Sequence, residues 1–324
     1  MWEQISLNNR RTTILVVAMA LVLIALGYVI GEAFAPGAGL FGLLVALGVW
    51  FVMTATAFVQ GDNIMLAVAG AKRIEKQDHL QLFNVVEEMA IASGQGGIMP
   101  SVYVVDDMAM NAFAVGRDPK KAAVAVTAGL LANLDRDELQ GVVAHEMAHV
   151  KNRDVLLMTM LGVMLGAIVI ISEVFLRSMR YGGTPGRHSS NRRGGGGGGQ
   201  AAIIAFVIAL VFAILAPILA RLIYFAVSRR REFLADASAA VFTRYPAGLA
   251  SALQKLGGNT APLARANHAT APMYIVNPFV ASFSGIFASH PPIADRIRIL
   301  NAMGKTVSFR AYEEAWGGVR GKRG

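Results

Sequence analysis

Four stretches without a single charged side chain decide what this chain can fold into. They are Thr12–Gly31, Ala33–Gly61, Val155–Ser172 and Ala201–Ala220, between 18 and 29 residues long. A helix needs roughly 20 apolar residues to cross the hydrocarbon core of a bilayer. Composition agrees: 55% of the residues are hydrophobic and only 16% are charged, with a mean hydropathy of +0.50. The first two runs, turned at Pro36 and Gly37, read as a membrane hairpin. A secretory signal is the rival for the first run, because Ala33-Phe34-Ala35 resembles a cleavage site. The run is longer than a signal's apolar core and Pro36 would follow the cut, which favours an uncleaved helix.

The polar remainder divides the chain into a membrane hairpin (1–61), a polar section (62–154), a second hydrophobic pair (155–228) and a final section (229–324). The second pair is split by the Arg/Gly-rich loop 177–200, whose glycine run Gly194–Gly199 predicts flexibility. Within the first polar section, Gln77–Ser93 has the pattern of an amphipathic helix with Asp78 as its cap. Ser101–Val105, Asn111–Val115 and Ala122–Thr127 read as three short strands. The fold class is therefore a mainly α membrane protein, with about four hydrophobic helices and a small antiparallel β-sheet.

A net charge of +9 suits basic residues beside anionic lipid. No aromatic–basic platform accompanies it, so nucleic acid is not an expected partner. Arg10, Arg11, Lys72, Arg73 and Lys76 flank the first hairpin, whereas its turn carries only Glu32. The positive-inside rule then places both ends of that hairpin, and the polar section, in the cytoplasm. The five arginines of 177–200 argue the other way if the third and fourth runs fully span, so a full and a shallow second hairpin both stay open.

The polar section ends in His145-Glu146-Met147-Ala148-His149. Histidines four apart on a helix project from one face and can grip one ion. The glutamate between them can take a proton from water at the open metal position, which is the chemistry of the H-E-x-x-H motif. Asp135 and Glu138 form a capping-box pattern, and Leu139, Val142, Val143, Met147 and Val150 supply an apolar stripe. With no cysteine in the chain, a zinc site must be built from His, Asp and Glu. A catalytic site needs a third protein ligand, and Glu232 is the candidate. His149 lies roughly 9 Å before the third run and Glu232 roughly 17 Å beyond the fourth at the helical rise, heights that can meet. Asp236, one turn on, shares the face of Glu232 and could hold the outer nitrogen of a zinc histidine. On spacing alone the two carboxylates could exchange roles, and a solvated face paired with Arg229–Arg231 is the bland alternative. His79 reads as a helix-surface residue, His188 and His268 as loop positions, and Asp106 and Asp107 as turn residues.

These features together resemble the HtpX family, bacterial membrane zinc metallopeptidases related to the eukaryotic CAAX prenyl endopeptidases. The resemblance rests on the N-terminal hairpin, Met110-Asn111-Ala112-Phe113-Ala114, the zinc helix continuing as Asn152-Arg153-Asp154, and the second hydrophobic pair. Glu232 with Asp236, and Ser289-His290-Pro291-Pro292 with Arg296, complete it. It implies a zincin-type catalytic domain with His145, His149 and Glu232 as ligands of one Zn2+, Glu146 as acid/base and Asp236 as a supporting carboxylate. It also implies that substrate adds along Asn111, Ala112, Phe113 and Ala114. The implied activity is quality-control proteolysis of membrane-protein or unfolded polypeptide substrates, under stress, at the cytoplasmic face of the bacterial inner membrane. The loop 177–200 stands outside the family pattern. His290 is the candidate second donor to the tetrahedral oxyanion, with a structural turn histidine as the alternative, and Arg296 would support it or bind substrate carbonyls. Two rival functions are a non-catalytic scaffold with a structural zinc site and a peptidase confined to prenylated C termini.

Overall fold

The computed structural model describes residues 2–94, 98–116, 119–182, 198–259, 261–264, 274–276, 290–303 and 307–321. His188, His268, Ser289 and the centre of the loop 177–200 lie outside the described residues. The chain forms two compact units, 1–59 with 159–224 and 60–158 with 225–324.

Helices α1 (Trp2–Phe34), α2 (Gly39–Ala69), α6 (Asp154–Gly182) and α7 (Gly198–Thr243) carry the apolar runs. Each contains a window long and apolar enough to cross a membrane: Val17–Phe34, Gly39–Thr56, Asp154–Met179 and Phe206–Phe225. The helical pattern of α1 begins at Trp2, so the polar start of the chain belongs to the helix. The turn between α1 and α2 is built as its residues predict. Gly37 takes a φ of +85°, and the Glu32 carboxylate accepts the N–H groups of Gly37 and Gly39 at 2.9 and 3.0 Å. The two helices then touch through glycine. A Cβ on Gly42 would lie 2.3 Å from the Gly27 carbonyl oxygen, and small residues of this kind let backbones approach where lipid offers no hydrophobic drive. In the same unit Phe175 packs on Ala209 and Ala213, with Val29, Ile30 and Ala33 beside them.

The second unit holds the sheet. Its strands are β1 (Ala71–Arg73), β2 (Ser101–Val105), β3 (Ala112–Val115) and β4 (Ala123–Thr127), in the order β1-β2-β4-β3. The sheet is mixed rather than wholly antiparallel, because β2 and β4 run parallel while the outer pairs are antiparallel. The cause lies in the two connections. Gly116, at a φ of +126°, turns β3 back onto β4, whereas the link from β2 to β3 is pinned away from the sheet by Asp107. Its carbonyl accepts Gly129 N–H at 2.9 Å and its carboxylate accepts Ala109 and Ala264 N–H at 2.8 and 2.9 Å. The extra strand β1 has two basic residues in three, which gave it no strand pattern.

Helix α3 (Leu80–Ala92) is capped by His79, whose Nδ1 accepts Leu82 N–H at 3.1 Å. Asp78 instead closes the preceding turn on Glu75 N–H at 2.8 Å, which corrects both sequence readings. The short α4 (Ala128–Asn133) leads into α5 (Arg136–Lys151), where Asp135 and Glu138 form the expected capping box. Losing that cap to alanine costs about 1 kcal/mol. Glu138 is buried and also accepts Ser251 Oγ and Lys255 Nζ, both at 2.6 Å. This fixes α5 against α8 (Pro246–Gly258), where a Cβ on Gly141 would lie 2.7 Å from Leu249 N. Helices α9 (Ile293–Ala302) and α10 (Phe309–Gly321) complete the unit, with Ile299, Leu300, Tyr312 and Ala315 in the core shared by α3, α5 and the sheet.

Candidate metal centre

The buried apolar stripe of α5 turns its opposite residues, His145, Glu146 and His149, inward onto other polar groups. His145 is fully buried, Glu146 is 2% exposed, and Glu232 on α7 is 5% exposed. The Nε2 atoms of His145 and His149 lie 3.2 Å apart. Glu232 spans the pair, with Oε2 3.5 Å from His145 Nε2 and Oε1 3.4 Å from His149 Nε2. Among the described residues, these three form the one group whose ligand atoms all fall within 4.8 Å of one another.

The outer nitrogens decide what the inner ones can do. His145 Nδ1 lies 3.0 Å from Asp236 Oδ1, and His149 Nδ1 lies 3.1 Å from Asp154 Oδ2. A neutral imidazole that donates from Nδ1 to a carboxylate presents Nε2 as a lone pair. Two such lone pairs 3.2 Å apart, facing a carboxylate, repel unless a cation lies among them. The donor set of two imidazoles and a carboxylate is that of a catalytic zinc site with a position left for water. The residues therefore fit a divalent ion.

Each supporting carboxylate has an arginine behind it. Arg296 on α9 clasps Asp236 with two bonds, Nε to Oδ2 at 2.8 Å and Nη2 to Oδ1 at 2.7 Å. Its Nη1 reaches Glu232 Oε2 at 3.3 Å and donates to the Ile275 carbonyl at 3.2 Å. Arg231 pairs with Asp154 through Nη1. His290 lies beside the same carboxylate as Arg296, with Nε2 3.8 Å from Glu232 Oε1.

Without an ion the electrostatics divide cleanly. Burial pulls the imidazoles of His145 and His149 down, but their carboxylate partners outweigh it, and His149 is held well above the usual histidine range by Asp154 and Glu232. Burial pushes the carboxyl of Glu232 up, yet His290, His145, His149 and Arg296 together hold it well below the carboxylate range. Asp236 is held low in the same way, chiefly by Arg296. Burial raises Glu146 and lowers His290. A raised carboxyl suits a group that must both accept and return a proton.

The candidate ligands His145, His149 and Glu232 thus gather with Glu146, Asp236, His290 and Arg296 in one largely buried cluster. Strand β3 lies at the sheet edge, with Asn111 just before it. Thr127 N–H donates to the Asn111 carbonyl at 3.0 Å, so alternation points the amide groups of Ala112 and Ala114 away from β4. The outward carbonyl of Ala112 accepts Ile275 N–H at 3.0 Å. Arg296 is fully buried inside the polar cluster.

Sequence reasoning missed Asp154 and Arg231 as partners of His149. Asp154 follows His149 by five, and on an unbroken helix that position points well away from its start. The chain breaks at Asn152 and Arg153, the latter at a φ of +56°, and α6 begins at Asp154. The signal was the Asn152-Arg153-Asp154 triplet, which carried no role by itself.

The sequence matches the profile of Peptidase family M48 over residues 76–303. A protease HtpX homolog of Dictyoglomus thermophilum is 45% identical over 304 residues, covering 94% of this chain and 95% of that protein. A second, from Tropheryma whipplei, is 43% identical over 305 residues, covering 94% and 99%. Among solved structures, S. mikatae Ste24p aligns over 91% of this chain and 65% of its own at 19% identity, with a TM-score of 0.47, a likeness too loose to bear on the site.

Proposed function

The chain belongs to peptidase family M48, a bacterial membrane metallopeptidase acting on protein, and we propose that it is a zinc endopeptidase of the cytoplasmic membrane. In this reading His145, His149 and Glu232 hold one Zn2+, Glu146 is the acid/base, and Asp236 orients His145. The observation that carries it is the convergence of two Nε2 lone pairs and one carboxylate within 4.8 Å, each imidazole fixed from behind by a buried aspartate. Three protein ligands and an open position favour catalysis over a structural ion, which normally takes four.

When bound, zinc supplies the Lewis acidity that a peptide carbonyl needs for attack by water. Glu146, buried and raised toward neutrality, takes the proton of the attacking water and delivers it to the leaving amine. His290, held neutral by burial, offers a ring N–H toward the developing oxyanion beside Glu232. Arg296 supports the site from inside, holding Asp236 and Glu232. The strand from Asn111 to Ala114 presents its edge to an extended substrate at the Ala114 end, since the Ala112 carbonyl already accepts Ile275 N–H.

The substrates are membrane proteins and unfolded polypeptides, cleaved at the cytoplasmic face as part of quality control under stress. Arg10, Arg11, Lys72, Arg73 and Lys76 support that orientation through the positive-inside rule. The polar sections 62–154 and 229–324 act as two halves of one catalytic domain, a division supported by the compact unit of 60–158 with 225–324. The test is Glu146→Gln. It is expected to keep one zinc per chain and to lose turnover of a casein-like substrate by about 100-fold or more, the usual weight of a general base. Ordinary turnover in a zinc-loaded Glu146→Gln protein contradicts the assignment.

A further inference from the structure

A short segment, Tyr274–Val276, is laid along the outer edge of β3, on the path that an added substrate strand would take. Ile275 N–H donates to the Ala112 carbonyl at 3.0 Å. The Asn111 side chain clamps the next residue, donating from Nδ2 to the Val276 carbonyl at 2.9 Å and accepting Val276 N–H at 3.4 Å. Beyond this point, toward Ala114, the edge faces a cavity of about 40 Å3. It is lined by Glu146, His149 and Glu232 together with Ala114, Val155, Met158, Tyr274 and Ile275, and by the Asp154–Arg231 pair.

Whether this segment yields to substrate or bounds it is decided by what holds it. Tyr274 and Ile275 are 3% and 2% exposed, and the Tyr274 ring stands edge-on to Phe113 at 5.2 Å. The carbonyl of Ile275 also accepts from Arg296, the same arginine that clasps Asp236 behind His145. Lifting the segment would expose two buried side chains and loosen the support of a metal ligand. It is a fixed wall.

We propose that Tyr274 and Ile275, with Met158 and Val155, form a small apolar subsite that selects a small apolar side chain, of alanine to valine size, beside the scissile bond. This rests on the proteolytic reading above. The substrate's main chain pairs with the outward amide groups of Ala114, and the side chain at that register enters the cavity next to Glu146. The cavity also borders the metal centre, so a small apolar side chain against Val155, Met158, Tyr274 and Ile275 is favoured over an aromatic ring. One excess methylene or ring in a pocket changes specificity by about 10–200-fold per methylene-sized step.

The test uses the detergent-purified, zinc-loaded full chain on denatured casein, with cleavage sites mapped by mass spectrometry. Fluorogenic peptides then vary alanine, valine, leucine, phenylalanine and lysine at each position flanking the mapped bond. At one flanking position, kcat/KM for alanine or valine should exceed that for phenylalanine or lysine by at least about tenfold. Ile275→Ala, which keeps the backbone hydrogen bonds, should raise the phenylalanine-to-alanine ratio about tenfold at that position and leave zinc content unchanged. Met158→Ala should move the same ratio the same way if the first variant folds poorly. A flat profile in the wild type, or a ratio unmoved by both variants, overturns the subsite while leaving proteolysis intact. No cleavage of any substrate by zinc-loaded protein removes the proteolytic reading itself.

Discussion

The two histidines of α5 are held by the same device in two different settings. His145 is fully buried, and its aspartate is clasped by an arginine that makes two bonds to it and further contacts to Glu232 and Ile275. The side chain of His149 is 14% exposed, and its Asp154–Arg231 pair lines the cavity. One support is sealed inside the fold and assembled from α7 and α9. The other faces the reaction space and is made by a helix break five residues downstream. The comparison shows that a carboxylate–imidazole pair can anchor the site or sit open to its contents, depending on what lies behind the carboxylate.

The largest expected difference is in stability. Arg296→Met leaves Asp236 charged and sealed from water, which should cost about 3–5 kcal/mol of unfolding free energy. Arg231→Met leaves Asp154, which is 1% exposed but lines the cavity, so the cost should be smaller, about 1–3 kcal/mol. Thermal unfolding of the two metal-free variants in detergent measures both. Equal losses break the contrast between a sealed and an open support.

Metal affinity should separate the supports less. Loss of a carboxylate behind a metal-binding histidine weakens affinity by about 10–100-fold. Asp236→Asn and Asp154→Asn should both fall in that range and both recover activity when zinc is in excess. Asp236→Asn should sit at the lower end if Arg296 still orients the amide, and competition with a chromophoric chelator reads the two constants. An unaltered affinity in Asp154→Asn removes it from the support of His149.

The smallest expected effect is with pH. The raised imidazole of His149 contributes stability that is complete below its unfolded value of about 6.5 and is lost as pH rises through the higher folded value. The depressed Glu232 contributes stability present above about 4.3 and lost as pH falls through its lower folded value. Metal-free protein should therefore be most stable in the mildly acidic range between these two unfolded values. Zinc needs His149 neutral, so its stabilising effect should grow toward higher pH. A zinc-induced rise in Tm that shrinks as pH rises above about 6.5 contradicts the proposed ligand.

How much of this was legible follows from range. The four apolar runs and the capping box of α5 depend on neighbours within a turn or a short stretch, and the chain spells them out. So does the placement of His145, Glu146 and His149 on one face. The clasp of Asp236 by Arg296 links residues 60 apart, and the seat of Ile275 on Ala112 joins positions that no periodicity relates. Asp154 was hidden for the opposite reason: it is near in sequence, but only a broken helix brings it back. A histidine cap has no strong composition signal, so in the sequence His79 reads as a surface residue. The parallel pairing of β2 with β4 needed the path of the Asp107 link, which strand pattern does not encode.

The central claim is that Glu232, and not Asp236, completes the metal centre with His145 and His149. Zinc titration of purified Glu232→Gln and Asp236→Asn against a fluorogenic peptide tests it most directly. The geometry predicts that excess zinc restores much of the activity of Asp236→Asn, because its three proposed ligands remain. It predicts no rescue of Glu232→Gln, because a neutral amide is a poor zinc ligand and two imidazoles alone do not hold the ion. Rescue of Glu232→Gln with Asp236→Asn inactive at every zinc concentration would contradict the account.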